Sequence, residues 1–90
     1  MKFIVSWSLP PDTFRSAVAR FLKGGGATPA GVTLIGRWHG MSGTGFAVVE
    51  TSDAKALYEW VAEWSEFLPL QTTPLVEDAD AGAVLGTLYT

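Results

Sequence analysis

The sequence predicts an α+β domain with element order β-α-β-β-α-β, an antiparallel sheet carrying both helices on one face. Two segments, Phe14 to Leu22 and Leu57 to Trp64, repeat apolar residues at helical spacing. Four others are short, rich in β-formers and bounded by glycine or proline. A glycine-rich link, Gly40-Met41-Ser42-Gly43-Thr44, is short enough to join the middle two strands as an antiparallel hairpin.

Taken in order, Lys2 to Ser8 alternates, with Phe3, Val5 and Trp7 on one side and Ile4, Ser6 and Ser8 on the other. Leu9-Pro10-Pro11 ends this strand, because proline cannot donate to a ladder. A helix opens at Asp12 or a neighbour, with Phe14, Ala17, Val18, Phe21 and Leu22 forming its apolar stripe. Gly24-Gly25-Gly26 stops it. After a loop over Ala27 to Gly31, Val32 to His39 and Gly45 to Thr51 read as the hairpin strands. A turn centred near Ser42 sets Trp38 opposite Phe46, Gly36 opposite Val48 and Leu34 opposite Glu50. The other side then carries Thr33, Ile35, Arg37 and His39 against Gly45, Ala47 and Val49.

Ser52 or Asp53 caps the second helix. Leu57, Trp60, Val61 and Trp64 form its buried side, and Lys55, Glu59, Glu63 and Glu66 face water. Phe67 to Glu77 contains a fourth strand, which Pro69 and Pro74 place at a sheet edge. Residues 1–77 thus form one domain. The alanine- and glycine-rich segment 78–90 is expected to be a tail or a short helix over Ala79, Ala83 and Val84, with docking at the dimer contact as the alternative.

This order is the ferredoxin-like arrangement. It leaves one sheet face uncovered. Four strands at about 4.8 Å spacing and about 20 Å long give a face of roughly 400 Å², a size at which an apolar surface marks an interaction site. Ninety residues build one core. They are 48% hydrophobic and only 17% charged, so part of the apolar surface calls for a cover. A face-to-face homodimer supplies one.

The bulk properties exclude several classes. Net charge is −3 and the six basic residues are scattered, which disfavours nucleic acid as a partner. Without cysteine there is no disulfide framework, thiol nucleophile or thiolate metal site. No apolar run reaches the roughly 20 residues of a membrane span, and the N-terminus lacks a signal-peptide pattern. The expectation is a cytoplasmic protein without a membrane partner.

The run Trp38, then Phe46…Glu50-x-x-Asp53-x-x-x-Leu57-x-x-Trp60-x-x-x-Trp64-x-x-Phe67, followed by Pro74-Leu75-Val76, resembles an uncharacterised bacterial family, domain of unknown function 3303. The likeness covers most of the chain and is strongest from Trp38 to Val76. It implies a dimeric α/β barrel of ferredoxin-like domains and no assigned activity. The chain departs from the family pattern in carrying Trp7 where a polar or acidic residue is commoner, and Ala47 in place of a longer polar one.

Among candidate functional groups, Arg37 and His39 share the face expected to line the dimer interior. There Arg37 would grip a small carboxylate or similar acid, with His39 and Trp7 lining the same cavity; the alternatives are that the two sheet faces are assigned the other way round, or that Arg37 reaches water or forms a bridge across the dimer. His39 is the only histidine, lacks a sequence neighbour to act with as a general base, and has no partner for a metal. Trp60 and Trp64 could stack on a sugar or base, but at this spacing they read as core anchors, with Trp38, Phe46 and Leu57 completing the expected structural core. Glu50 reads as structural at the start of the second helix. Neither glycine-rich stretch fits a phosphate loop, and the Glu77-Asp78-Ala79-Asp80 run lacks EF-hand spacing. No metal and no cofactor is expected.

The expected function is therefore binding of a small, mostly apolar ligand in a dimer cavity. The alternatives are a cofactor-independent enzyme of the monooxygenase or isomerase kind, known in other dimeric α/β barrels, and a protein-interaction module.

Overall fold

The computed structural model describes residues 1–90. Its elements are β1 (Lys2–Ser8), α1 (Phe14–Gly24), β2 (Thr33–His39), β3 (Thr44–Glu50), α2 (Ala54–Ser65), β4 (Leu70–Leu75) and α3 (Asp78–Tyr89). The strands form one antiparallel sheet in the order β2-β3-β1-β4. With β1 and β3 central and the helical crossovers α1 and α2, this is the ferredoxin-like βαββαβ fold. In keeping with its Pro74, which lies opposite Phe3, β4 is an edge strand.

Local chemistry accounts for the helix ends. The carboxylate of Asp53 accepts from the backbone N–H groups of Lys55 and Ala56 and caps α2. Next to Asp12, Thr13 holds the N-cap position of α1, but its hydroxyl donates to the carbonyl of Phe67 instead of capping the helix. That bond ties the start of α1 to the end of α2. On the outside Arg20 and Glu63 bridge the same two helices at 2.7 Å. Gly25, with φ +67°, closes α1 in the left-handed conformation.

The core consists of Val5, Val32, Ala47, Val49, Ala56, Leu57 and Trp60, with Phe3, Trp7, Leu34, Val61, Trp64 and Leu70 packed around it. The helix-covered face of the sheet is therefore the one carrying Ala47 and Val49, and this reverses the expected assignment. Arg37 pairs with Ala47 and His39 with Gly45, so both lie on the covered side. Trp38 and Phe46, expected in the core, are 52% and 39% exposed and stack on each other on the open face, ring centroids 5.2 Å apart.

Volume explains the reversal. The bulk under the helices comes from Trp60, Trp64 and Trp7, and small residues on β3 make room for it. Trp7 lies across Gly45, where a Cβ would meet its ring at 2.6 Å. On the opposite face the Trp38 ring covers Gly36 in the same way. The expected pairs Trp38–Phe46 and Gly36–Val48 are present, but a bulge between Leu34 and Gly36 moves Leu34 opposite Val49, onto the core side. Ile35 is left 49% exposed. The α1 stripe is narrower than its spacing suggests, with Ala17 buried but Phe14 and Leu22 exposed.

Segment 78–90 takes the helical of its two expected forms. Twelve residues form α3, and none of them is buried. Its link to the body is the ion pair between Lys2 and Glu77, the residue that precedes it, at 2.5 Å. The chain measures 51 Å along its longest axis and has a radius of gyration of 15.3 Å, against roughly 12 Å for a compact chain of this length. The excess reflects α3 standing off the body.

Candidate ligand cavity between sheet and helices

Under α1 and α2 the packing is incomplete. A cavity of about 120 Å³ lies between the helices and the sheet, and 11 of the 13 residues lining it are hydrophobic. The two others are Arg37 and His39, and Trp7 stands beside them. The three residues singled out from the sequence thus meet at one cavity inside the single chain.

Each is held by identifiable contacts. Arg37 Nη1 donates to the carbonyl of Gly26 at 3.0 Å, and Nη2 to that of Gly25 at 3.1 Å. Its guanidinium lies over the Phe21 ring, 5.3 Å from the centroid. The glycine run that ends α1 therefore also seats the arginine, a role its sequence pattern did not reveal. A side chain at Gly26 would be strained by its φ of +62°, and a Cβ there, 2.1 Å from Arg37 Nη1, would push the arginine tip off its seat. No carboxylate pairs with Arg37, whose neutralising partners are two carbonyl dipoles. Partial burial pushes its pKa below the ordinary arginine value. It nevertheless stays a cation near neutral pH.

His39 ends β2 at the rim. Its ring meets Phe21 edge-on at 5.3 Å and Trp7 at 6.1 Å. Trp7, His39 and Leu70 also border a broad open hollow on the uncovered sheet face, so they stand between the two spaces.

The roof of the cavity includes Trp60, which is 4% exposed. Its Nε1–H is buried and has no hydrogen-bond acceptor, an omission that ordinarily costs about 1–3 kcal/mol. Sequence reasoning found Trp60 as a core anchor but missed this donor, because its lack of an acceptor follows from packing in three dimensions. A second polar group missed in the sequence is Thr51, buried at the end of β3. Its hydroxyl donates to the carbonyl of Gly31 at 2.7 Å and accepts from the Asp53 N–H at 2.9 Å. Thr51 and Asp53 carry the hydrogen bonds at the start of α2. Glu50 is exposed and lies opposite Lys2 in the sheet.

No carboxylate or hydroxyl lines the cavity, and no group of three or more His, Asp or Glu residues is placed to hold a metal ion. No helix is long and apolar enough to cross a membrane.

The fold and the cavity define a class: a small ferredoxin-like α+β domain with an apolar chamber beneath its helices and an uncovered sheet behind. Within that class the chain belongs to the family Domain of unknown function (DUF3303), which it matches over residues 1–89. No curated protein and no solved structure matches it.

Proposed function

We propose that this protein is a binding module that holds a small, mostly apolar acid in the cavity between sheet and helices, with Arg37 as the anchor for the acidic end. The observation that carries this reading is the convergence of Trp7, Arg37 and His39 on one otherwise apolar chamber. Arg37 there has no carboxylate partner and keeps N–H groups beyond the two given to Gly25 and Gly26. A half-buried cation supported only by two carbonyl dipoles and the Phe21 ring gains from an anion. Binding is favoured over catalysis because the lining offers His39 no carboxylate or hydroxyl to work with, and acid–base chemistry needs such a convergence.

The test is native mass spectrometry of the purified chain, followed by titration with short monocarboxylates into the wild type and Arg37→Met. Co-purified mass or saturable uptake, weakened about tenfold or more by the substitution, supports the reading, since a charge-assisted bond contributes about 1.5–3 kcal/mol. No bound mass and no uptake sinks it.

We further infer that two copies pair through the open sheet face. Trp38, Phe46, Ile4 and Val48 form the apolar part of that face, and α3, which follows the edge strand β4 in the chain, leaves its own apolar residues uncovered. In that arrangement the cavity and the pairing face lie on opposite sides of the sheet, so ligand binding does not require the dimer.

A further inference from the structure

Resting on the cavity reading above, the size and the walls of the chamber define the body of its occupant. About 120 Å³ is available between sheet and helices. An apolar cavity of about 150 Å³ binds benzene, so the space suits one ring and not two. Arg37 is only half-buried, which lets the charged end stay outside that volume.

The walls are rich in rings. Aromatic residues make up 12% of the chain, yet Trp7, Phe21, Trp60 and Trp64 supply four of the 13 lining residues, and His39 adds a fifth ring. Trp7, Phe21 and Trp64 are half-buried, so their own chain leaves part of each uncovered. His39 meets Phe21 and Trp7 edge-on, with interplanar angles of 73° and 65°, and stacks on neither. The anchor belongs to the same cluster, because the Arg37 guanidinium lies over the Phe21 ring, 5.3 Å from its centroid. A carboxylate held by Arg37 is therefore delivered beside Phe21. Aromatic pairs contribute more than the apolar area they bury, through their quadrupoles. A rigid ring also loses less freedom on binding than a flexible chain of equal size.

We propose that the ligand is a monocarboxylate carrying one aromatic ring, bound with its carboxylate on Arg37 and its ring among Trp7, Phe21 and Trp64. A saturated ring of the same outline fills the chamber without the ring–ring contacts and binds less well. Two fused rings exceed the space.

The experiment compares benzoate, cyclohexanecarboxylate and 2-naphthoate, which share the charged group and differ in aromatic character or in size. Binding to the wild type, to Phe21→Leu and to Arg37→Met is measured by calorimetry at neutral pH, where all three acids are ionised. Benzoate should bind the wild type about threefold or more tightly than cyclohexanecarboxylate, the gain from aromatic contacts. If burial of apolar area alone decided, the bulkier saturated acid would bind equally well or better. Benzoate should also outbind 2-naphthoate. Phe21→Leu should shrink the preference for the aromatic ring, and Arg37→Met should weaken all three acids alike. If cyclohexanecarboxylate or 2-naphthoate binds as tightly as benzoate, or Phe21→Leu leaves the preference unchanged, the proposal falls while the cavity reading stands. If none of the three binds, or Arg37→Met weakens none, the cavity reading falls and takes the proposal with it. Should Phe21→Leu fail to fold, the order of the three acids in the wild type decides.

Discussion

Arg37 Nη1 donates to the carbonyl of Gly26 at 3.0 Å, and the bond exists because Gly26 has no side chain. A Cβ at that position would stand 2.1 Å from the same nitrogen, on a backbone with φ +62°. Gly26→Ala should therefore strain the chain and dislodge the arginine, at a cost of about 1–3 kcal/mol. Gly24, two residues earlier, is helical and has open space around its would-be Cβ. Gly24→Ala should be neutral or slightly stabilising. Urea unfolding of the two variants checks the contrast, and equal stabilities would mean that the glycine run merely ends a helix.

Trp60 joins α2 to the sheet and also borders the cavity. Replacing a buried tryptophan by alanine costs about 3–5 kcal/mol. Here the low end of that range is expected, because the substitution also removes an indole N–H that has no acceptor. Trp64, only half-buried, should lose less on the same change. Denaturant midpoints for Trp60→Ala and Trp64→Ala test the order; a larger loss at Trp64 would contradict the packing.

Much of the fold was legible because its signals are local. Proline pairs, glycine runs, the Asp53 cap and the helical periods each act within a few residues, so strand and helix positions follow from them. Which face of the sheet the helices cover is decided differently. The hairpin strands carry apolar residues on both sides, Trp38 and Phe46 on one and Ala47 and Val49 on the other, so alternation alone does not choose. The bulk of Trp7, Trp60 and Trp64 chooses, by fitting over Gly45 and Ala47, and that fit joins residues from both ends of the chain. Arg37, His39 and Trp7 were legible as a group because they share a side of the sheet whichever way it faces. The donor of Trp60 was not, since a free N–H shows only when every neighbour is in place.

The Lys2–Glu77 pair gives a pH dependence with a definite sign. The hydrogen bond and charge of Glu77 raise the lysine above its ordinary value of 10.5. The pair's contribution is thus complete below the unfolded-state value and is lost as pH climbs through the raised folded one. Both side chains are well exposed, so the effect should be small and weaken with added salt. Thermal unfolding of wild type and Lys2→Met at low salt should differ by a constant amount near neutral pH, and the difference should close in strong alkali. A gap that opens with rising pH would contradict the assigned pair.

The uncovered surfaces lead to a prediction about assembly in which α3 is decisive. A sheet face of roughly 400 Å² on each copy gives about 800 Å² in all, short of the ~1,000 Å² expected of a specific interface. The helix can supply the remainder. Ala81, Val84, Leu85, Leu88 and Tyr89 fall at i, i+3, i+4, i+7 and i+8, one continuous stripe. Val84, Leu85, Leu88 and Tyr89 are 57%, 54%, 67% and 81% exposed, with nothing in their own chain to cover them. A helix of 12 residues is also marginal in water unless its apolar side is packed. Light scattering should accordingly show a dimer for the intact protein. A chain ending at Glu77 and the double variant Leu85→Glu with Leu88→Glu should both be monomers. Trp38→Glu should weaken the dimer while leaving the cavity intact, because its side chain lies on the far side of the sheet from Arg37. A truncated chain that still dimerises would confine the contact to the sheet, and an intact chain that runs as a monomer would reject the pairing altogether.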